Sequence, residues 1–185
     1  SGFDALLCDG AVRSGKTSIM SLSFFLWAMG NFNGCSFAFC GKSVGAVERN
    51  IVMPLLSISY LNQNFDAKYN RAGHVIVARR GKKENRFYLF GGKDESSYML
   101  IQGITLAGVL LDEVALMSRS FVEQALARRS VTGSKLWFNC HPEGPEHWFR
   151  KAWILKPKAP NALHLHFTMD AKPSFSDETH TKSYY

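Results

Sequence analysis

The chain has 185 residues, 46% of them hydrophobic, and a formal charge of +7. That length suits one domain, and that apolar content is enough to build a core, which excludes disorder as a description of the whole chain. The basic balance (pI about 9.3) favours polyanionic partners such as nucleic acid without deciding for them, and it says nothing about fold.

The first predicted element is a short buried strand, "FDALLCDG" at 3–10, entered from Ser1 and Gly2 with no signal-peptide pattern, as in a chain trimmed at its N-terminus. The loop "GAVRSGKTS" at 10–18 follows. "KTSIMSLSFFLWAMG" at 16–30 then reads as a helix that stops near Gly30. Its apolar residues cover most faces, as expected for a helix packed deep against a sheet. The stretch is too short and too polar to cross a bilayer, which takes about 20 apolar residues, so no membrane partner is expected.

"CSFAFCGK" at 35–42 is a second apolar strand. "SVGAVERNIVMPLLSISY" at 43–60 reads as helical, with Ser43 as N-cap and Pro54 as a break or kink. Three β-rich pieces come next, "HVIVARR", "NRFYLFGG" and "YMLIQG", separated by turn-like segments. "LAGVLLDE" at 106–113 is another buried strand, and "SRSFVEQALARRS" at 118–130 is an amphipathic helix opened by a serine cap signal. "SKLWFNCHPEGP" is a strand running into a Pro/Gly turn, "EHWFRKAWIL" a short helix, and "ALHLHFTMD" an alternating strand. Apolar strands alternating with helices predict an α/β fold with a mostly parallel central sheet covered on both faces. The hairpin-like middle predicts antiparallel additions. Residues 1–170 read as this domain, and residues 171–185, which have no core pattern, as a linker or tail.

Cys8, Cys35, Cys40 and Cys140 form no C-x-x-C pair and no cluster at metal spacing, so free thiols of a reduced, intracellular protein are expected.

The opening loop fits G-x-x-x-x-G-K-[ST]. Its glycines let backbone N–H groups curl toward a phosphate, and the helix that follows adds its positive end. Residues Gly10, Ala11, Val12, Arg13, Ser14, Gly15, Lys16, Thr17 and Ser18 are therefore candidates to cradle ATP. Lys16 is placed to reach the β- and γ-phosphates, and the Thr17 hydroxyl to hold Mg2+.

The second constellation is "GVLLDEVALM" at 108–117. A carboxylate at the C-terminal tip of a buried strand lies where open α/β sheets bind ligands. Asp112 would hold magnesium and Glu113 would polarise the attacking water, although an acidic pair after a strand is also a common helix start. The third is "LWFNCHPEGPEHWFRKAWI" at 136–154. Asn139, at the strand's end, would sense the γ-phosphate beside the first two motifs. A plain strand and turn with Trp148 and Trp153 as core anchors explains it equally well.

The order "GAVRSGKTS", "LIQGITLAGVLLDEVALM", "FNCHPEGPEHWFRKAWI", "HFTMDAKPSFSDE" resembles the large terminase subunit of tailed bacteriophages and prophages, over residues 5 to 178. Its most specific part is Pro142-Glu143-Gly144-Pro145 followed by His147-Trp148-Phe149. The resemblance implies a P-loop NTPase of the kind that carries a catalytic glutamate on the Walker B strand. It implies ATP hydrolysis driving double-stranded DNA into a procapsid, with Lys16 and Thr17 on phosphate and magnesium, Asp112 on magnesium and Glu113 activating water. Asn139 falls in the motif that couples nucleotide state to movement. Arg13 matches an arginine common in the loop of terminases and would touch the γ-phosphate in cis.

The portal protein and the small terminase subunit are implied as partners, in the bacterial host cytoplasm. A homo-oligomeric ring is implied in the working motor, with a monomer as the alternative for an isolated domain. The adenine-contacting segment would precede residue 1 and an RNase H-like nuclease domain would follow residue 185, so nuclease activity is not expected here.

Two positions depart from the pattern. His141-Pro142 stands where Asn-Pro is usual, and Gln102 where an arginine acting on a neighbour's ATP is common. Arg119, Arg128 and Arg129 are the replacement candidates, a solvated helix face being their plainer reading. Arg71, Arg79, Arg80, Lys82 and Lys83 form a basic run that suits either DNA phosphates or a solvated loop. His164 and His166 alternate on a strand, where partial burial or exposure is expected rather than metal binding.

The other functions weighed are a helicase-like ATPase, a small-molecule P-loop phosphotransferase and a non-hydrolysing regulatory module. The first needs a second recombinase-like domain, for which the chain is too short. The second needs a lid and an acceptor pocket, and neither is legible. The intact Lys16, Thr17, Asp112 and Glu113 argue against the third.

Overall fold

Strands made almost wholly of apolar residues can only sit where both faces are covered. In a computed structural model, which describes residues 3–10, 15–141, 147–154 and 161–167, four such strands form the centre of the sheet. They are β1 (Ala5–Gly10), β2 (Ser36–Gly41), β6 (Gly108–Asp112) and β7 (Lys135–Asn139). Flanking them in parallel are β5 (Lys83–Gly91), beside β2, and β8 (Ala162–Phe167), beside β1. Two further strands, β3 (Asp66–Asn70) and β4 (Val75–Arg80), extend the β5 edge antiparallel. The order across the eight strands is β3-β4-β5-β2-β6-β7-β1-β8. The expected α/β fold, mostly parallel with antiparallel additions, is the one that forms.

Alternation along the strands divides the core into two layers. One layer holds Leu6, Cys8, Phe37, Phe39, Leu110 and Trp137 against Phe24 and Phe25 of α1 (Lys16–Asn31). Phe24 sits at the middle of it, with ring centroids 5.5 Å from Phe39 and 5.7 Å from Trp137. The other layer holds Leu7, Cys40, Val109, Leu111 and Phe138 against Phe121 and Val122 of α5 (Arg119–Ala127) and against Phe149 and Trp153. Trp153 is thus a core anchor as expected, while Trp148 is only half-buried. Cys8, Cys40 and Cys140 are buried and form no disulfide, and burial pushes the Cys8 thiol up to about 12.

The segment from Ser43 begins as expected, with the Ser43 hydroxyl accepting from the Ala46 N–H at 3.2 Å. It runs as α2 (Val44–Val47), a π-helical stretch (Glu48–Val52) and α3 (Met53–Leu56). Pro54 does not end it: Val52 and Met53 stay helical, and the proline falls directly after the π-helical stretch, whose wider i−5 bonding (Met53 N–H to the Glu48 carbonyl) already interrupts the i−4 ladder. A last short helix, α4 (Ser59–Asn64), leads into β3.

One predicted element is corrected. "YMLIQG" is no strand: residues Glu95–Ile101 form a 3-10 helix, with Met99 and Leu100 exposed. Its apolar run resembles a strand, but only Ile101 enters the core. The edge strand β3 was not anticipated, because its side chains are mostly exposed and mostly polar. The tail assigned to residues 171–185 lies outside the described residues, as do residues 168–170. Among the described residues, no helix is long and apolar enough to cross a membrane.

Candidate phosphate-binding site

The parallel strands end on one side of the sheet, and their last residues change from apolar to polar there. β6 ends at Asp112 and β7 at Asn139, register partners across the ladder, and Asn139 is in turn the partner of Cys8 on β1. α1 begins beside these tips, with Gly15 in the left-handed conformation (φ 76°) as its N-cap. This turn carries Lys16 and Thr17 into contact with the strand ends.

Three side chains meet there. The Thr17 hydroxyl donates to Asp112 Oδ1 at 2.9 Å. Asn139 Nδ2 donates to Thr17 Oγ1 at 2.9 Å and to Asp112 Oδ1 at 2.6 Å. Asp112 and Asn139 are 4% and 2% exposed, and Asn139 Oδ1 is buried without a hydrogen-bond partner among the described residues. A buried carbonyl oxygen left unpaired is costly, and it marks a place where a further group belongs.

Lys16 is also buried, and its ammonium donates to the Gly10 carbonyl at 3.0 Å. Burial holds it below the ordinary lysine value, with Asp9 and Asp112 among the groups that oppose the shift. A cation kept partly desolvated at a helix N-terminus is poised for an anion. Gly10 itself has φ 128°, and a Cβ there would collide with the carbonyl oxygen of Phe167 on β8.

Glu113 follows directly. It is a non-glycine residue in the left-handed region (φ 55°, ψ 49°), a conformation costing about 1–3 kcal/mol that recurs at functional sites. Its carboxylate lies near His141, whose Nε2 is 3.7 Å from Glu113 Oε1. His141 Nδ1 is 3.3 Å from the Gly10 carbonyl.

Thr17, Asp112, Asn139, Lys16 and Gly10 are thus brought together, with Glu113 beside them. Ser18 is exposed on α1 and contributes its carbonyl to the Ser21 hydroxyl at 3.1 Å. Ala11, Val12, Arg13 and Ser14 lie outside the described residues, as do Pro142, Glu143, Gly144 and Pro145. Among the described residues no group of three or more His, Cys, Asp or Glu is placed to hold a metal ion. The Thr17–Asp112 pair nonetheless fits magnesium. It offers hard oxygens, one carboxylate and one hydroxyl, and magnesium takes few protein ligands and completes its shell with phosphate and water.

No protein-family model matches the chain, and no curated protein matches it. Among solved structures, the large terminase from a thermophilic bacteriophage matches with a TM-score of 0.87 at 52% identity, covering 94% of this chain and 43% of that one. The chain belongs to the bacteriophage large-terminase family. The same thermophilic-phage terminase in complex with ATP-gamma-S matches at 48% identity with a TM-score of 0.84, over 94% of this chain and 42% of that one. The Thermus phage P74-26 large terminase ATPase domain, 16% identical, shares the fold with a TM-score of 0.66, over 90% of this chain and 76% of that one. The fold is that of a P-loop NTPase. The chain spans less than half the length of the thermophilic-phage terminase.

In this terminase the three candidate arginines differ. Arg119 pairs with Glu123 at 2.8 Å on an exposed helix face, the plainer reading. Arg128 and Arg129 follow the end of α5 and are half-buried. Arg129 Nη1 donates to the Ser134 carbonyl at 3.2 Å, while its Nε is buried without a partner. Gln102 is exposed at the end of the 3-10 helix.

Asp9 escaped the sequence reading. It is the last side chain of β1, buried, and its Oδ1 lies 2.7 Å from His166 Nδ1 and 3.2 Å from His164 Nε2 on β8. The alternating histidines were visible, but which strand they would face was not.

Proposed function

We propose that this terminase segment binds ATP with magnesium and hydrolyses it, as the motor domain that drives double-stranded DNA into a procapsid. The carrying observation is the contact of Thr17, Asp112 and Asn139 at the tips of β6 and β7, with Lys16 and Glu113 on either side. Support also comes from the nucleotide bound by the thermophilic-phage relative.

The motif assigns the phosphates to Gly10 to Ser18, with backbone N–H groups as donors and Lys16 as a cation; Arg13, outside the described residues, is the second cation by its match to the terminase loop. Lys16 gives up its contact with the Gly10 carbonyl for the β- and γ-phosphate oxygens and offsets the charge that builds there. Thr17 and Asp112 would hold magnesium, which would supply positive charge against the phosphates. Water attacks the γ-phosphorus, its proton passes to Glu113, and the bond from phosphorus to the departing ADP oxygen breaks. Asn139 joins Thr17 to Asp112, so a change at the γ-phosphate reaches β7 through two hydrogen bonds.

Double-stranded DNA, the portal protein and the small terminase subunit are the partners of this reading. The setting is the host cytoplasm at the procapsid portal, in a ring of subunits. Phosphate release measured with and without linear duplex DNA and procapsids tests it. Stimulation by DNA or procapsids is expected, whereas phosphate transfer to a small-molecule acceptor would overturn it. Lys16→Ala and Glu113→Gln should each lower turnover by at least about 100-fold. Glu113→Gln should retain nucleotide binding. Turnover near wild type in Glu113→Gln would remove Glu113 from the role of base.

A further inference from the structure

The proposed base stands at the exposed rim of the site, with its carboxylate one-third exposed. Its backbone is held in the left-handed region, which fixes the direction of Cβ. Backbone direction alone does not fix a carboxylate, because glutamate has three side-chain torsions. Among the described residues, His141 is the side chain that meets it.

The His141 ring touches two parts of the site. Nδ1 faces the carbonyl of Gly10, the first residue of the phosphate loop, at 3.3 Å. Nε2 faces Glu113 Oε1 at 3.7 Å, beyond a direct hydrogen bond; both partners are acceptors, so the ring joins them when both of its nitrogens carry a proton. The backbone leading to the ring is held by the sheet: the Cys140 N–H donates to the Cys8 carbonyl at 3.0 Å, which continues the β7–β1 ladder to the residue before His141. The imidazole thus spans the root of the loop and the rim.

We propose that His141 is a positioning residue for Glu113: it braces the carboxylate against the Gly10 carbonyl, so that the base is aimed only while the root of the phosphate loop is in place. This rests on the reading of Glu113 as the group that takes the water proton. His141 touches neither water nor phosphate in this role. It limits where the Glu113 oxygens go, and a misplaced base loses rate without losing nucleotide.

Two replacements separate the two ends of the ring. The Nδ2 of asparagine falls near the position of histidine Nδ1, so His141→Asn keeps the Gly10 contact and loses the reach to Glu113. The Nε2 of glutamine falls near that of histidine Nε2, so His141→Gln keeps that reach. Turnover is read by phosphate release at saturating MgATP, and affinity by titration with the fluorescent analogue mant-ATP. His141→Ala should lower kcat by about 10- to 100-fold. Its mant-ATP affinity should stay within about threefold. His141→Gln should recover more of the rate than His141→Asn.

Unchanged kcat in His141→Ala overturns the proposal. So does recovery by Asn equal to or better than that by Gln, or a loss of affinity that matches the loss of rate. If His141→Ala does not fold, the order of the Gln and Asn variants decides alone. Glu113→Gln, measured alongside, tells the two failures apart. If it turns over like wild type, the role of Glu113 falls and this inference with it. If it is inactive while His141→Ala matches wild type, only the role of His141 falls.

Discussion

The two halves of the sheet each bury one asparagine, and the two are used in opposite ways. Asn85, on β5 beside the antiparallel extension, is fully buried and spends its amide on backbone. It accepts from the Cys35 N–H at 3.0 Å and donates to the Phe32 carbonyl at 3.0 Å, closing the turn between α1 and β2. Asn139, at the tip of β7 in the parallel half, bonds to the side chains of Thr17 and Asp112 and leaves its Oδ1 unpaired. A satisfied buried amide is architecture. A half-satisfied one, at the strand end where ligands bind in open α/β sheets, is kept for something that arrives.

The charges follow the same division. Along β3, β4 and β5 they settle among themselves and with the neighbouring helical segment. Arg79 and Arg86 share Glu84, at 2.7 and 3.3 Å, and Arg71 pairs with Glu48 at 2.9 Å. Arg80 lies over the Phe65 ring at 5.3 Å. At the parallel tips, charge is instead buried and held apart from water, as Lys16 and Asp112 are.

Substitutions can break or sharpen this comparison. Asn139→Ala should cost about 10- to 100-fold in turnover. Its loss of stability should be only about 1 kcal/mol, since one amide goes and Asp112 Oδ1 keeps its bond from the Thr17 hydroxyl. Asn85→Ala should do the reverse. It empties a fully buried site and leaves the part-buried Cys35 N–H and Phe32 carbonyl without their partner, so chemical denaturation should report a loss of about 2–3 kcal/mol. Its turnover, assayed well below the unfolding transition, should match wild type, and a catalytic defect there would end the distinction. The smallest effect is expected of Arg79→Ala. The pair it makes with Glu84 is solvated, so neither the thermal midpoint nor the rate should move measurably.

The candidate site was legible in the sequence to the extent that it is local. Gly10 to Thr17 and the apolar run into Asp112 and Glu113 each announce their place, because a strand tip and a helix start are short-range events. What was hidden depends on which strands become neighbours. Asp9 meets His164 and His166 only because β8 pairs with β1, and His141 meets Glu113 only because β7 lies between β6 and β1. Asn85 sits in "KKENRF", polar enough to pass for a turn, and is buried because β5 lies under α1. The run "YMLIQG" shows the opposite error, since apolar content alone does not choose between a strand and a tight helical turn at the surface.

The contact between Gly10 and Phe167 has a mechanical meaning. The backbone of the last residue of β8 lies against the first residue of the phosphate loop, with no space for even a methyl group between them. Gly10 and Phe167 are the last partners of the β1–β8 ladder, so main chain meets main chain there, and any side chain at position 10 would push the edge strand away. The residue that opens the candidate loop is thus also the one that lets β8 close onto the sheet.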